Sequence, residues 1–173
     1  MAATYEKIAT VTVGSSGSAS IDFTSIPSTY TDLLVKISAR TNRSANQDQI
    51  DMRFNSDTSS SYFYRQLLGD GTTVVSATAT GSFIYAGVAP ATNGTSNTFG
   101  NFEVYIPNYT SATYKTVSAD YVNEGNATTV YYDGFTAGLW QKTNSISSIT
   151  FYSDNGANFS QYTTATLYGI SNS

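Results

Sequence analysis

Residues 33–40 read LLVKISAR, and the fold class follows from how these residues alternate. Leu33, Val35, Ile37 and Ala39 fall on one side of an extended chain, and Leu34, Lys36, Ser38 and Arg40 fall on the other. Successive side chains of a β-strand point to opposite faces, so this pattern predicts a strand with a core side and a wet side. The same period recurs in both directions. Ala9, Val11 and Val13 oppose Thr10 and Thr12; Ala19, Ile21 and Phe23 oppose Ser18, Ser20 and Asp22. Ile50, Met52 and Phe54 oppose Gln49, Asp51 and Arg53. Further on, Phe102, Val104 and Ile106 oppose Asn101, Glu103 and Tyr105, and Val117, Ala119 and Tyr121 oppose Thr116, Ser118 and Asp120. Ile149 with Phe151, and residues 165–170, supply two more strands.

Strands with one apolar and one wet face belong to antiparallel sheets, because parallel sheets are covered on both sides. The separators are turn-formers: Asp70-Gly71, Asn93-Gly94, Pro107-Asn108, Glu124-Gly125-Asn126 and Asp154-Asn155-Gly156. No segment of ten or more residues shows a helical period. About ten strands in one domain must close or double up to hide their edges. The expected fold is therefore all-β: residues 1–173 as a single antiparallel two-sheet sandwich, jelly-roll-like, with the first and last strands near each other. A β-prism or another Greek-key sandwich would read the same way. Residues 69–82 (GDGTTVVSATATGS) and 87–97 (GVAPATNGTSN) lack clear alternation and are expected to be long loops.

Composition agrees. The chain has 24 Ser, 26 Thr, 13 Asn and 5 Gln, together 68 of 173 residues, while charged residues make up only 12%. That charged share is about half the usual one. Good helix formers are thin, and Thr, Tyr, Val, Ile and Phe favour the pleated, half-buried strand. At this length a domain buries roughly 70% of its unfolded surface, so stability can rest on an ordinary core. No stretch approaches the roughly 20 apolar residues of a membrane-spanning helix, and no membrane insertion is expected. Residues 1–7 (MAATYEK) lack the charged-then-apolar layout of a secretory signal.

The same counts remove whole chemistries. With no Cys and no His, thiolate catalysis, disulfides, a Ser-His-Asp triad and an imidazole zinc site are all out of reach. Net charge is −4, with 8 Lys+Arg against 12 Asp+Glu, so no nucleic-acid partner is expected. A glycosidase needs only two carboxylates, and Asp48, Asp51, Asp57, Asp70, Asp120, Glu124, Asp133 and Asp154 are available. Their spacings carry no catalytic signature, and Asp70 and Asp154 read as turn residues, so no catalytic residue is assigned. Asn46-Gln47-Asp48 with Asp51, and Asn55-Ser56-Asp57, are oxygen-rich, but neither has the alternate acids, central Gly and terminal Glu of a calcium loop. No metal and no cofactor is expected. The Gly69-Asp70-Gly71 stretch is neither a dinucleotide loop nor a P-loop. Five N-x-S/T sequons, at Asn42, Asn93, Asn108, Asn126 and Asn158, are about what 50 Ser+Thr produce by chance.

The aromatics are the candidate binding residues. Tyr62-Phe63-Tyr64 and Tyr131-Tyr132 are adjacent rings, and neighbours in a strand point opposite ways, so each group must turn a ring away from the core. Trp140 sits in Gly138-Leu139-Trp140-Gln141. Outward rings at Tyr62, Tyr64, Tyr131, Tyr132 and Trp140 would anchor a protein interface or stack on a sugar.

Five stretches in order carry a resemblance: IDFTSIPSTYTDLLVKISAR (21–40), MRFNSDTSSSYFYRQLLGDGTTV (52–74), YKTVSADYVN (114–123), GLWQKTNSISSITF (138–151) and TATLYGI (164–170). Together they resemble small virion structural proteins of tailed bacteriophages, particularly those of marine and cyanobacterial phages. The resemblance implies a non-enzymatic component of the virion surface, made in the host cytoplasm. A capsid decoration or cement protein, bound to the major capsid protein or other virion proteins as a homotrimer, is the leading expectation. The alternatives are a tail-fibre or appendage module that binds a host glycan or receptor and, behind it, a carboxylate-dependent glycan hydrolase. The resemblance brings no site residues with it.

Overall fold

The computed structural model describes residues 4–125 and 132–171, and within them the chain forms twelve strands and no helix. In chain order these are β1 (Tyr5–Thr12), β2 (Ser20–Phe23), β3 (Asp32–Ala39), β4 (Gln47–Phe54), β5 (Tyr62–Gly69) and β6 (Val74–Gly81), then β7 (Ile84–Pro90), β8 (Gly100–Ile106), β9 (Lys115–Val122), β10 (Asp133–Trp140), β11 (Ile149–Ser153) and β12 (Thr164–Ile170). They make two antiparallel sheets, an eight-stranded one ordered β1-β12-β3-β8-β9-β10-β5-β6 and a four-stranded one ordered β2-β11-β4-β7. The first and last strands are neighbours, with Tyr5 opposite Ile170 and Thr12 opposite Thr164.

The topology separates into a skeleton and two additions. The order β1-β12-β3-β8 over β2-β11-β4-β7 is that of an eight-stranded jelly roll, in which the chain crosses from one sheet to the other at every step of this skeleton except β4 to β7, which pair within the smaller sheet. Hairpin β5–β6 is inserted between β4 and β7, and strands β9–β10 between β8 and β11. Both join the larger sheet beyond β8 and double its width.

The core is what the alternation predicts. Leu33, Val35 and Leu167 of the larger sheet and Ile21, Met52, Phe54 and Phe151 of the smaller one are wholly buried in one apolar cluster. Their strand neighbours Lys36 and Glu103 stay outside and pair at 2.8 Å, an exposed ion pair that contributes little.

Both expected long loops contain a strand. Residues 69–82 hold β6, joined to β5 by a turn in which the Asp70 carboxylate accepts the Thr72 and Thr73 amides at 2.8 and 2.6 Å. Val75, Ala77 and Ala79 alternate there with Ser76, Thr78 and Thr80. Ala and Thr differ so little in hydrophobicity that the period hardly registers. In residues 87–97, positions 87–90 complete β7, all seven residues of which are buried. A strand covered on both faces reads as a continuous apolar run and has no period to detect. The remainder is a loop pinned by Arg40, whose guanidinium donates to the Ala91 and Thr95 carbonyls at 2.7 and 2.8 Å.

At Gly87 the close packing of β7 leaves no room for a side chain. The backbone there has φ +149°, next to the bulge that leaves Ala86 without a partner on β4. A Cβ would lie 2.6 Å from Tyr121 Cγ and 2.7 Å from Phe102 Cε1. Gly87→Ala is therefore expected to cost about 2–3 kcal/mol through overpacking, read as a lower urea midpoint with an unchanged slope.

Candidate binding surfaces

The candidate rings divide between core and surface in a way that corrects the sequence reading. Trp140 and Tyr62 are register partners on β10 and β5, both on the inward face, 2% and 0% exposed. Their rings stack with centroids 6.2 Å apart, and Phe54 meets the indole edge-on at 5.6 Å. Both polar tips are satisfied inside. The Trp140 indole N–H donates to Asp57 Oδ2 at 2.8 Å, and the Tyr62 hydroxyl accepts the Phe54 amide at 3.0 Å. Neither is a surface platform. Alternation holds along β5, with Tyr62 and Tyr64 facing inward and Phe63 facing out. Tyr64 is half-buried, against Phe83 and Tyr85 at 6.0 and 6.1 Å. Tyr132 is half-buried beside the core. Tyr131 lies outside the described residues.

The oxygen-rich stretches are committed to structure. Asp57 accepts Trp140, the Ser59 and Ser61 hydroxyls at 2.6 Å each and the Ser59 amide at 2.9 Å. Burial raises its pKa, but these donors together outweigh burial and hold the carboxyl well below the usual range. Asn55 Oδ1 accepts the Ser147 and Ser148 amides. Asp48 and Asp51 are buried, where a strand pattern alone puts Asp51 on the wet face. Among the described residues no three acidic groups gather as a metal site would require.

Two surfaces remain, on opposite faces of the added strands. The outward face carries cross-strand apolar pairs: Leu67 opposite Phe135, and Phe63 opposite Leu139. Leu67 and Phe135 are 53% and 42% exposed, and Val74 at the start of β6 is 76% exposed. Shallow troughs of about 360 and 410 Å³ run along these pairs. Phe and Leu are ordinary core types, so no local signal in the sequence marks these side chains as outward.

The inward face of β5 and β6 borders an open cleft of about 340 Å³ against β4 and β7. Its floor is Leu68, Tyr85 and Val88, all buried, and its rim includes Arg43, Gln47, Gln49, Gln66 and Tyr132. Behind the rim, burial pushes the Asp51 carboxyl up to about 7, against a Gln49 hydrogen bond that pulls it down. Comparison with models of known protein families gives no match, and comparison with curated proteins gives none either.

Proposed function

We propose that this protein is a non-enzymatic structural component of a tailed-phage particle, a capsid decoration protein that docks on the major capsid protein through the outward face of β10, β5 and β6. The observation that carries the docking face is the exposed apolar pair Leu67–Phe135, with the Phe63–Leu139 pair and Val74 on the same face and Arg65, Ser76, Thr78 and Asp133 between and around them. Apolar pairs of this kind, ringed by polar residues, are how a protein marks an interface. The phage setting rests on the resemblance of the five stretches quoted above.

Self-association on the particle is part of the proposal: the cyclic trimer rests on the resemblance, and the free edge of β6 is a separate surface open to a partner. Three of the four sheet edges are blunted: β1 by Glu6, Lys7 and a bulge at Ile8, β2 by its four-residue length, and β7 by burial. Strand β6 ends the wide sheet with eight residues that carry neither charge nor Pro, the kind of edge that seeks a partner.

The test is binding of purified protein to particles that lack it. The expected result is occupancy of the head at a stoichiometry set by capsid symmetry. The double substitution Leu67→Glu with Phe135→Lys keeps an attractive cross-strand pair while removing the apolar face, so the fold is preserved. Its affinity for heads is expected to fall at least about thirtyfold, the worth of one hot spot of about 2 kcal/mol. Wild-type affinity in that variant would remove the docking face from the proposal. Binding confined to tails would place the protein on an appendage instead.

A further inference from the structure

The cleft under β5 and β6 has the construction of a ligand site, and nothing in the docking proposal uses it. Three of its rim groups are held from behind. Gln49 Nε2 donates to Asp51 Oδ1 at 2.8 Å, and Asp51 is wholly buried. Gln47 Oε1 accepts the buried Asn123 amide at 3.3 Å. Arg43 lies 3.4 Å from Asp48, another wholly buried carboxylate, which also accepts the Asn155 amide. Gln66, on the opposite wall, has a side-chain oxygen without a hydrogen-bond partner among the described residues. Buried aspartates are costly, and here two of them fix the orientation of groups on one rim.

We infer that this cleft binds a neutral saccharide unit, with the rim amides of Gln47, Gln49 and Gln66 taking its hydroxyls and the apolar floor of Leu68, Tyr85 and Val88 taking its C–H face. Each primary amide offers both donors and acceptors, which is what a ring of hydroxyls needs. The one charged group on the rim, Arg43, is already compensated by Asp48, so the site has no net demand for an anion. At about 340 Å³ the cleft sits at the small end of ligand sites, which suits one or two sugar rings. Side chains held in place before binding lose little entropy when the ligand arrives. Leu67 and Leu68 point to opposite faces of β5, so this site and the docking face are independent, and either can fail without the other.

The experiment titrates the full chain with methyl glycosides of glucose, galactose, mannose and N-acetylglucosamine, and with glucuronate as the charged counterpart. The readout is the side-chain amide NMR signals of Gln47, Gln49 and Gln66. Concentrations up to roughly 100 mM reach affinities weaker than about 1 mM. The expected result is a saturable shift of those signals with at least one neutral glycoside. Gln66→Leu should weaken it by about fivefold or more, the loss of one or two hydrogen bonds. Val75→Trp fills the cleft from an exposed position and should abolish the shift while leaving the thermal midpoint in place. The inference is overturned if no neutral glycoside gives a saturable shift, if only glucuronate binds, or if both variants bind as the wild type does.

Discussion

Trp140→Ala is expected to destabilise the protein by about 3–5 kcal/mol, the usual cost of deleting a large aromatic side chain from a packed core. The indole is 2% exposed, stacked on Tyr62 and met by Phe54, so its removal opens a cavity between the two sheets. It also takes a hydrogen-bond donor from Asp57, the residue that organises the turn between β4 and β5. For a chain of this size the thermal midpoint should drop by about 10 °C or more. Trp140→Phe keeps most of the buried area and loses the Asp57 bond, so it should cost roughly 1–3 kcal/mol. This residue is the only Trp in the chain, so the wild-type fluorescence of that indole follows unfolding directly, and circular dichroism serves for the variants. The result matters for function because an adhesion assay on Trp140→Ala would report unfolding. A variant with unchanged stability and lost surface binding would show that the ring is exposed after all.

Stability is expected to increase on acidification from pH 8 to about pH 5, which is unusual for a protein with an excess of acidic residues. The cause is Asp51. Burial is the largest influence on it and lifts its pKa from 3.8 to about 7, with Asp154 and Asp48 adding to the rise and the Gln49 hydrogen bond and Arg53 opposing it. Between those two pH values the folded chain holds a proton that the unfolded chain has released. By linkage, unfolding free energy then falls as pH rises, by up to about 1.4 kcal/mol per pH unit across that window, about 4 kcal/mol in all, and levels off above pH 7. Asp57 and Asp70 act the other way. Burial opposes the Asp57 shift, but donated hydrogen bonds lower it overall, and the Thr73 and Thr72 amides lower Asp70. The stability these two contribute is present above about pH 4 and is lost below it. Urea midpoints measured from pH 3 to pH 8 should therefore peak near pH 4–5. Asp51→Asn should flatten the limb between pH 5 and pH 7 and leave the acid limb unchanged. A profile that rises from pH 5 to pH 7 in the wild type would mean that Asp51 is ionised in the folded protein.

Much of the fold was legible because half-buried strands advertise themselves. β8 and β9 alternate buried with outward residues along most of their length and β3 does so in its second half, so the period of two survives in the sequence. β5, β6, β7 and β10 give no clear period in the sequence, and β6 and β7 show the least contrast between faces. β7 is buried all round, and β6 lies at the end of a sheet where Ala faces one side and Ser and Thr the other. The site was less legible for a related reason. Tyr62 and Trp140 stand out as large amphipathic rings, yet whether such a ring faces core or solvent depends on which side of its strand the second sheet covers, and that is not a local property. Phe63, Leu67 and Phe135 are ordinary core types, and nothing in their own neighbourhoods shows that they stand on the uncovered side.

The residue types and their alternation by themselves determined that this chain makes antiparallel sheets, that the sheets share one apolar core, and that His- or Cys-dependent chemistry is unavailable. The tertiary structure decided the rest. It placed β5–β6 and β9–β10 as additions to one sheet of a jelly roll, drew Asp48 and Asp51 into the interior, and left an apolar outward face and an amide-rimmed inward cleft on the same strands. The physical reason is that alternation specifies only that a strand has two sides. Which side is buried, and against what, is set by contacts between residues far apart in the chain, such as Trp140 with Asp57 and Gln47 with Asn123.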